Sequence, residues 1–104
     1  MEFIETHFFT ERISKLLTDQ EYRQLQSELT QSPKKGDVIP GGGGLRKLRW
    51  GIGARGKRGG IRVIYYLEIK DRIYMLFAYD KSRQGDLTRE QLKTLSEYVQ
   101  GGML

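Results

Sequence analysis

Hydrophobic residues recur along the chain at two spacings, one helical and one of two residues, and the switches between them divide it into elements. Phe3 to Phe9 is rich in β-formers without strict alternation and predicts a short first strand. From Thr10 the spacing is helical, with Ile13, Leu16 and Leu17 on one stripe. Thr18, followed three residues later by Glu21, has capping-box spacing and opens a second helix bearing Tyr22, Leu25 and Leu29, which Ser32-Pro33 ends. Pro40 and the glycines Gly41 to Gly44 form a loop before a strand from Leu45 to Trp50, and Gly51 to Gly60 forms a second glycine-rich loop. Ile61 to Ile69 is the clearest strand, with Ile61, Val63, Tyr65, Leu67 and Ile69 on one face and Arg62, Ile64 and Tyr66 on the other. Lys70-Asp71 turns it into an antiparallel partner, Ile73 to Tyr79. A last helix follows Leu87-Thr88, with Thr88 and Gln91 at capping-box spacing, Leu92, Leu95 and Val99 as its apolar stripe, and Gly101-Gly102 as its stop.

The order is strand, two helices, three strands, helix. It predicts an α+β fold in one domain over residues 1–104: a twisted sheet, antiparallel or mixed at the first strand, with the N-terminal helical hairpin and the C-terminal helix packed on one face. At 38% hydrophobic and 11% aromatic the chain can bury one modest core. It has no cysteine, which excludes disulfides, thiolate nucleophiles and zinc–thiolate sites and fits a reducing compartment. The acidic start, Met1 to Glu5, lacks the apolar run of a signal peptide or membrane span, so a cytoplasmic protein without membrane partners is expected.

The net charge of +5 changes the picture once it is placed along the chain. Val38 to Leu67 holds no acid and seven cations, Arg46, Lys47, Arg49, Arg55, Lys57, Arg58 and Arg62, leaving eleven basic against thirteen acidic residues elsewhere. So concentrated a cationic stretch favours a polyanionic partner, nucleic acid above all, over a merely solvated surface.

Gly51-Ile52-Gly53-Ala54-Arg55-Gly56 matches G-x-G-x-x-G and, read on to Lys57, nearly matches a P-loop. Arg58 stands where the P-loop needs a hydroxyl for magnesium, and a strand follows where both motifs need a helix N-terminus. No nucleotide cofactor is therefore expected. The same loop reads better as a cationic hairpin tip whose Arg55, Lys57 and Arg58 meet a phosphate backbone. Gly41 to Gly44 could cradle a phosphate, though a plain connection accounts for them more simply. His7, the one histidine, lies far from the basic segment, and with so few ligands no metal site is expected.

Parity within the strands is the sharper signal. If Leu48 and Trp50 face the core, Lys47 and Arg49 face the other way, and Arg62 in the next strand turns to the same side. Three cations then converge on one bare sheet face beside Tyr66, with Lys81 and Arg83 at its rim.

On these residues the chain resembles the RelE/ParE toxin superfamily, and most closely its HigB-type branch. The resemblance rests on Gly36-Asp37-Val38-Ile39-Pro40-Gly41-Gly42-Gly43-Gly44-Leu45-Arg46-Lys47-Leu48-Arg49 and on Lys57-Arg58-Gly59-Gly60-Ile61-Arg62-Val63-Ile64-Tyr65-Tyr66. Tyr79-Asp80-Lys81 and Asp86-Leu87-Thr88 complete it, so that it spans about half the chain. It implies a RelE-like fold and a toxin of a type II toxin–antitoxin system that cuts mRNA in the ribosomal A site. In such enzymes the 2′-hydroxyl attacks the adjacent phosphate, without metal or cofactor, giving a cyclic phosphate and a free 5′-hydroxyl. The family's paired strand cations fall on Lys47 and Arg49, its strand arginine on Arg62, and its basic residue after the final strand on Lys81. Arg46, Arg55, Lys57, Arg58, Tyr66 and Arg83 would contact RNA or the ribosome, and a cognate antitoxin would hold the protein in check. The tyrosine that relatives often carry near the last helix is replaced by Leu87-Thr88.

The chemistry suits these residue types. Charge builds on the phosphate oxygens during in-line transfer, and prepositioned cations stabilise it there more than in the ground state. The forked guanidiniums of Arg49 and Arg62 fit that role. Among like charges lysine is the cation that gives up a proton, so either Lys47 or Lys81 would be the general base or acid. Two other functions fit the same shape, a ParE-like inhibitor of DNA gyrase and a non-catalytic RNA-binding module. The convergent cations favour RNA cleavage over the first, and only cleavage itself separates the second.

Overall fold

The computed structural model describes residues 1–51 and 60–101. Its elements run β1 (Glu2–Glu5), α1 (His7–Leu16), α2 (Asp19–Gln31), β2 (Asp37–Val38), β3 (Arg46–Trp50), β4 (Ile61–Ile69), β5 (Arg72–Asp80) and α3 (Arg89–Gln100). The strands form one sheet in the order β1-β5-β4-β3-β2. β1 pairs parallel to β5 and every other pairing is antiparallel, so the α+β class and the mixed first strand are as expected.

Side-chain chemistry fixes the helix starts. Thr18 and Glu21 form the expected capping box, Glu21 N–H donating to Thr18 Oγ1 at 3.1 Å and Thr18 N–H to Glu21 Oε1 at 2.9 Å. Thr88 and Gln91 repeat it at 3.0 Å in both directions. α1 begins earlier than expected from Thr10, because Thr6 is its cap. The Thr6 hydroxyl accepts from Phe9 N–H at 3.1 Å and donates to the Leu76 carbonyl at 2.7 Å, tying the helix start to β5. Phe8 and Phe9 are thereby helical rather than part of β1.

The helices divide between the two faces of the sheet, which corrects the expectation that they share one. Phe9 and Ile13 of α1, Leu17, and Leu25 and Leu29 of α2 pack with Leu48, Ile61, Val63, Tyr65, Ile73, Met75 and Ala78. Leu95 of α3 packs with Leu45, Ile64, Tyr74, Leu76, Phe77 and Tyr79 on the opposite face, where Leu87, Leu92 and Val99 join it. The physical reason is in the even-numbered positions: Ile64, Tyr74 and Leu76 form an apolar patch among the polar ones, and water-facing apolar area of that size needs a cover.

A bulge sets the phase of β5. Ile64 pairs with Phe77 but Tyr65 pairs with Met75, so Leu76 is the extra residue. Alternation carried from Ile73 and Met75 would put Tyr79 beside α1 and α2; the bulge moves Ala78 there and turns Tyr79 to the face that carries Arg62. Gly41 to Gly44 form the turn between β2 and β3, closed by Ile39 N–H to the Leu45 carbonyl at 2.9 Å. Gly41, Gly43 and Gly44 have φ of 73°, 68° and 99°, the left-handed region that a side chain disfavours.

Candidate nucleic-acid interface

Register places the strand cations together. Lys47 lies opposite Ile64 and Arg49 opposite Arg62, and Arg62 lies opposite Tyr79 on its other side. Directly opposed residues share a face, so Arg49, Arg62 and Tyr79 make one row across three strands, and Lys47, Ile64 and Phe77 the next. That face is not bare, however. α3 covers its apolar part, and Arg62, expected to point freely outward, is only 6% exposed in the central strand between two long-chained neighbours. Its guanidinium donates to the Ile61 carbonyl at 3.2 Å. Arg49 is exposed and Lys47 half-buried.

A carboxylate closes the group. Asp86 Oδ1 accepts from Lys47 Nζ at 3.2 Å, from the Tyr79 hydroxyl at 3.4 Å and from Leu87 N–H at 2.8 Å. The Leu87 amide, then the Lys47 ammonium, hold the Asp86 carboxyl below its ordinary range. Tyr79 is 2% exposed, and burial, reinforced by the Asp86 charge and opposed by Arg62, pushes its phenol up to about 12. At neutral pH the site therefore presents a protonated phenol and a carboxylate beside Lys47, Arg49 and Arg62. With Asp86 72% exposed, its bond to Lys47 does little for stability and much for position.

The other expected residues lie around this centre or away from it. Lys81 donates to the Gly85 carbonyl, bracing the turn that carries Asp86 rather than joining the row. Arg83 is exposed beside Tyr79 and Asp80, in a cleft with Arg12 and Lys15 of α1. Tyr66 is half-buried in the α3 cluster, four residues along β4 from Arg62, which is roughly 13 Å. Arg46 has the parity of Leu48 and sits on the opposite face, donating to the carbonyls of Gly36 at 2.8 Å and Lys34 at 3.2 Å. There it secures the segment that Tyr65 also holds, its hydroxyl accepting from Gly36 N–H and donating to the Pro33 carbonyl. Arg55, Lys57 and Arg58 fall outside the described residues.

Sequence reasoning missed Tyr79 and Asp86 as members of the site. Asp86 had a signal, an acid two residues before a capping box and at the head of a stretch already singled out. Tyr79 likewise headed a stretch already singled out, but its face depends on the bulge and could not be read from alternation.

A face of this composition can hold a phosphodiester on its cations. A family model described as the RelE toxin of the RelE/RelB toxin–antitoxin system matches residues 3–102. The match runs from within β1 through α3 and includes the two N-terminal helices. The chain belongs to the RelE toxin family.

Proposed function

We propose that this protein is a ribosome-dependent mRNA endonuclease of the HigB type, working in the cytoplasm as a single-domain toxin under the control of a cognate antitoxin. The observation that carries the reading is the row Arg49, Arg62, Tyr79 with Lys47 and Asp86 beside it. Membership of a toxin–antitoxin family supports the toxin role and the antitoxin.

In this reading mRNA in the A site lies on the cationic face. The 2′-oxygen of one nucleotide bonds to the adjacent phosphorus as the bond to the next nucleotide's 5′-oxygen breaks. The 2′-proton leaves to a base and the 5′-oxygen gains one, giving a 2′,3′-cyclic phosphate and a 5′-hydroxyl. Arg49 and Arg62 stabilise the charge that builds on the non-bridging oxygens. Lys47 or Lys81 moves the protons, and Lys47 is the better placed of the two, since Asp86 holds its ammonium in the group while Lys81 is bound to the Gly85 carbonyl. Tyr79 stays protonated and its hydroxyl donates to Asp86, so the phenol acts on the carboxylate that holds Lys47, and the family's usual tyrosine position at Leu87-Thr88 stays without a phenol. No metal or cofactor takes part.

The test is a cell-free translation reaction with the purified protein, with breaks in the message mapped in the presence and absence of ribosomes. Breaks within the A-site codon that need ribosomes, and that disappear with Lys47→Ala/Arg49→Ala, are expected. An intact message with translation unimpaired would overturn the reading.

A further inference from the structure

A cleft of about 640 Å³ opens beside the C-terminal end of β5. It is lined by Glu11, Arg12 and Lys15 of α1 and by Tyr79, Asp80 and Arg83 at the end of β5 and in the turn beyond. Two elements far apart in sequence thus bring three cations to one opening. The cleft continues the site rather than standing apart from it. Arg12 lies 4.6 Å above the Phe77 ring, and Phe77 ends the cross-strand row that begins at Lys47. Tyr79 is a shared wall, lining the cleft while its hydroxyl meets Asp86. Asp80 accepts from the Ser82 amide and hydroxyl at 2.9 and 2.7 Å, and with Glu11 it sets two acids against the three cations Arg12, Lys15 and Arg83, so the lining is positive on balance.

We propose that this cleft receives the RNA strand on the 3′ side of the scissile phosphate, with Arg12, Lys15 and Arg83 on its phosphates; the proposal rests on the nuclease reading above. A line of cations that runs along two cross-strand rows and past the sheet edge matches a chain of regularly spaced negative charges, and aromatic walls beside such cations suit an unpaired strand. The volume lies within the range of sites that enclose small ligands, enough for a nucleotide rather than a protein element. Upstream of the vacant codon the message is held by pairing to tRNA. Only the downstream strand is free to turn into the cleft.

Two messages separate this from contact with the ribosome itself, one ending at the last nucleotide of the cut codon and one running well beyond it. With Arg12→Gln/Lys15→Gln, KM for programmed ribosomes should rise about tenfold on the long message, with kcat within about twofold of wild type. On the short message the variant should match wild type. An equal penalty on both messages would mean that the cations touch ribosomal RNA, and no penalty on either would mean an idle cleft; both overturn the proposal. Because Arg12 also covers Phe77, the single variant Lys15→Gln, with a thermal melt, gives the same comparison if the double variant unfolds. Wild-type protein that cuts neither message would overturn the nuclease reading instead.

Discussion

Tyr79 and Asp86 share one contact, and their acidities move in opposite directions. The Asp86 carboxyl is held below its ordinary range, so its bond to Lys47 is fully present above the usual carboxylate pKa and is lost only as pH falls through the lower, folded value. Above about pH 5 the Asp86 carboxyl should therefore not titrate. Asp86→Asn, which keeps the shape and removes the charge, should lower the maximal cleavage rate about tenfold at neutral pH and leave the melting temperature nearly unchanged, since an exposed pair contributes under about 1 kcal/mol. Cleavage at the wild-type rate would show that Lys47 needs no partner to hold it. Tyr79 runs the other way. A phenol raised from 10.0 to about 12 contributes stability that is whole below pH 10 and fades as pH climbs through about 12. Urea unfolding at pH 9 and pH 11 should therefore show a loss that Tyr79→Phe reduces. Tyr22 and Tyr65, also raised by burial, account for the part that stays.

At the scale of elements, the β2–β3 turn shows how a local conformation and a tertiary contact act at one residue. Gly41 and Gly43 have nearly the same φ, 73° and 68°, but a Cβ on Gly41 would meet open space, whereas one on Gly43 would come within 2.7 Å of the Gln100 side chain and 3.1 Å of Ser96. Gly41→Ala should cost about 1–2 kcal/mol, the penalty of a left-handed residue, and Gly43→Ala more, because the Gln100 amide must leave its place and Ser96 Oγ must give as well. Chemical denaturation of the two variants compares them directly; equal losses would mean that Gln100 simply swings aside. The glycines thus belong to a built turn beneath α3, a role that composition alone did not separate from a loose connection or a phosphate cradle. Elements whose signals are local were legible in the same way. Thr18 with Glu21 and Thr88 with Gln91 announce their helices because a cap needs only neighbours. Strand parity likewise put Lys47, Arg49 and Arg62 on one face before any fold was known. The two-residue strand β2 is too short to show a period, and the Leu76 bulge leaves no mark in composition, since its cause lies in the pairing of β4 with β5. Arg62 was legible as to face and not as to burial, because burial depends on Tyr79 and Arg49 arriving on either side.

At the scale of the whole molecule, the division of the helices between two faces gives stability and the site different dependences on the core. Leu25 of α2 is fully buried on the face away from the cations, and Leu95 of α3 is 4% exposed on the face that carries them. Removing either side chain down to alanine should cost about 2–5 kcal/mol, since both leave a cavity in a packed cluster. Their consequences for cleavage should differ. Leu95 packs with Phe77 and Tyr79 in one cluster, and Thr88, which caps α3, lies two residues after Asp86, so a loosened α3 moves both the carboxylate that holds Lys47 and the phenol bonded to that carboxylate. Leu25 acts on the sheet from the far side, and β4 and β5 stand between it and the site. At a temperature well below both unfolding midpoints, Leu95→Ala should therefore lower the maximal cleavage rate several-fold with little change in KM, and Leu25→Ala should leave the rate per folded molecule close to wild type. Denaturation curves give the folded fraction, and single-turnover cleavage on programmed ribosomes gives the rate. Equal losses of rate after that correction would mean that the sheet transmits strain from either face alike, and that α3 has no separate part in holding the site.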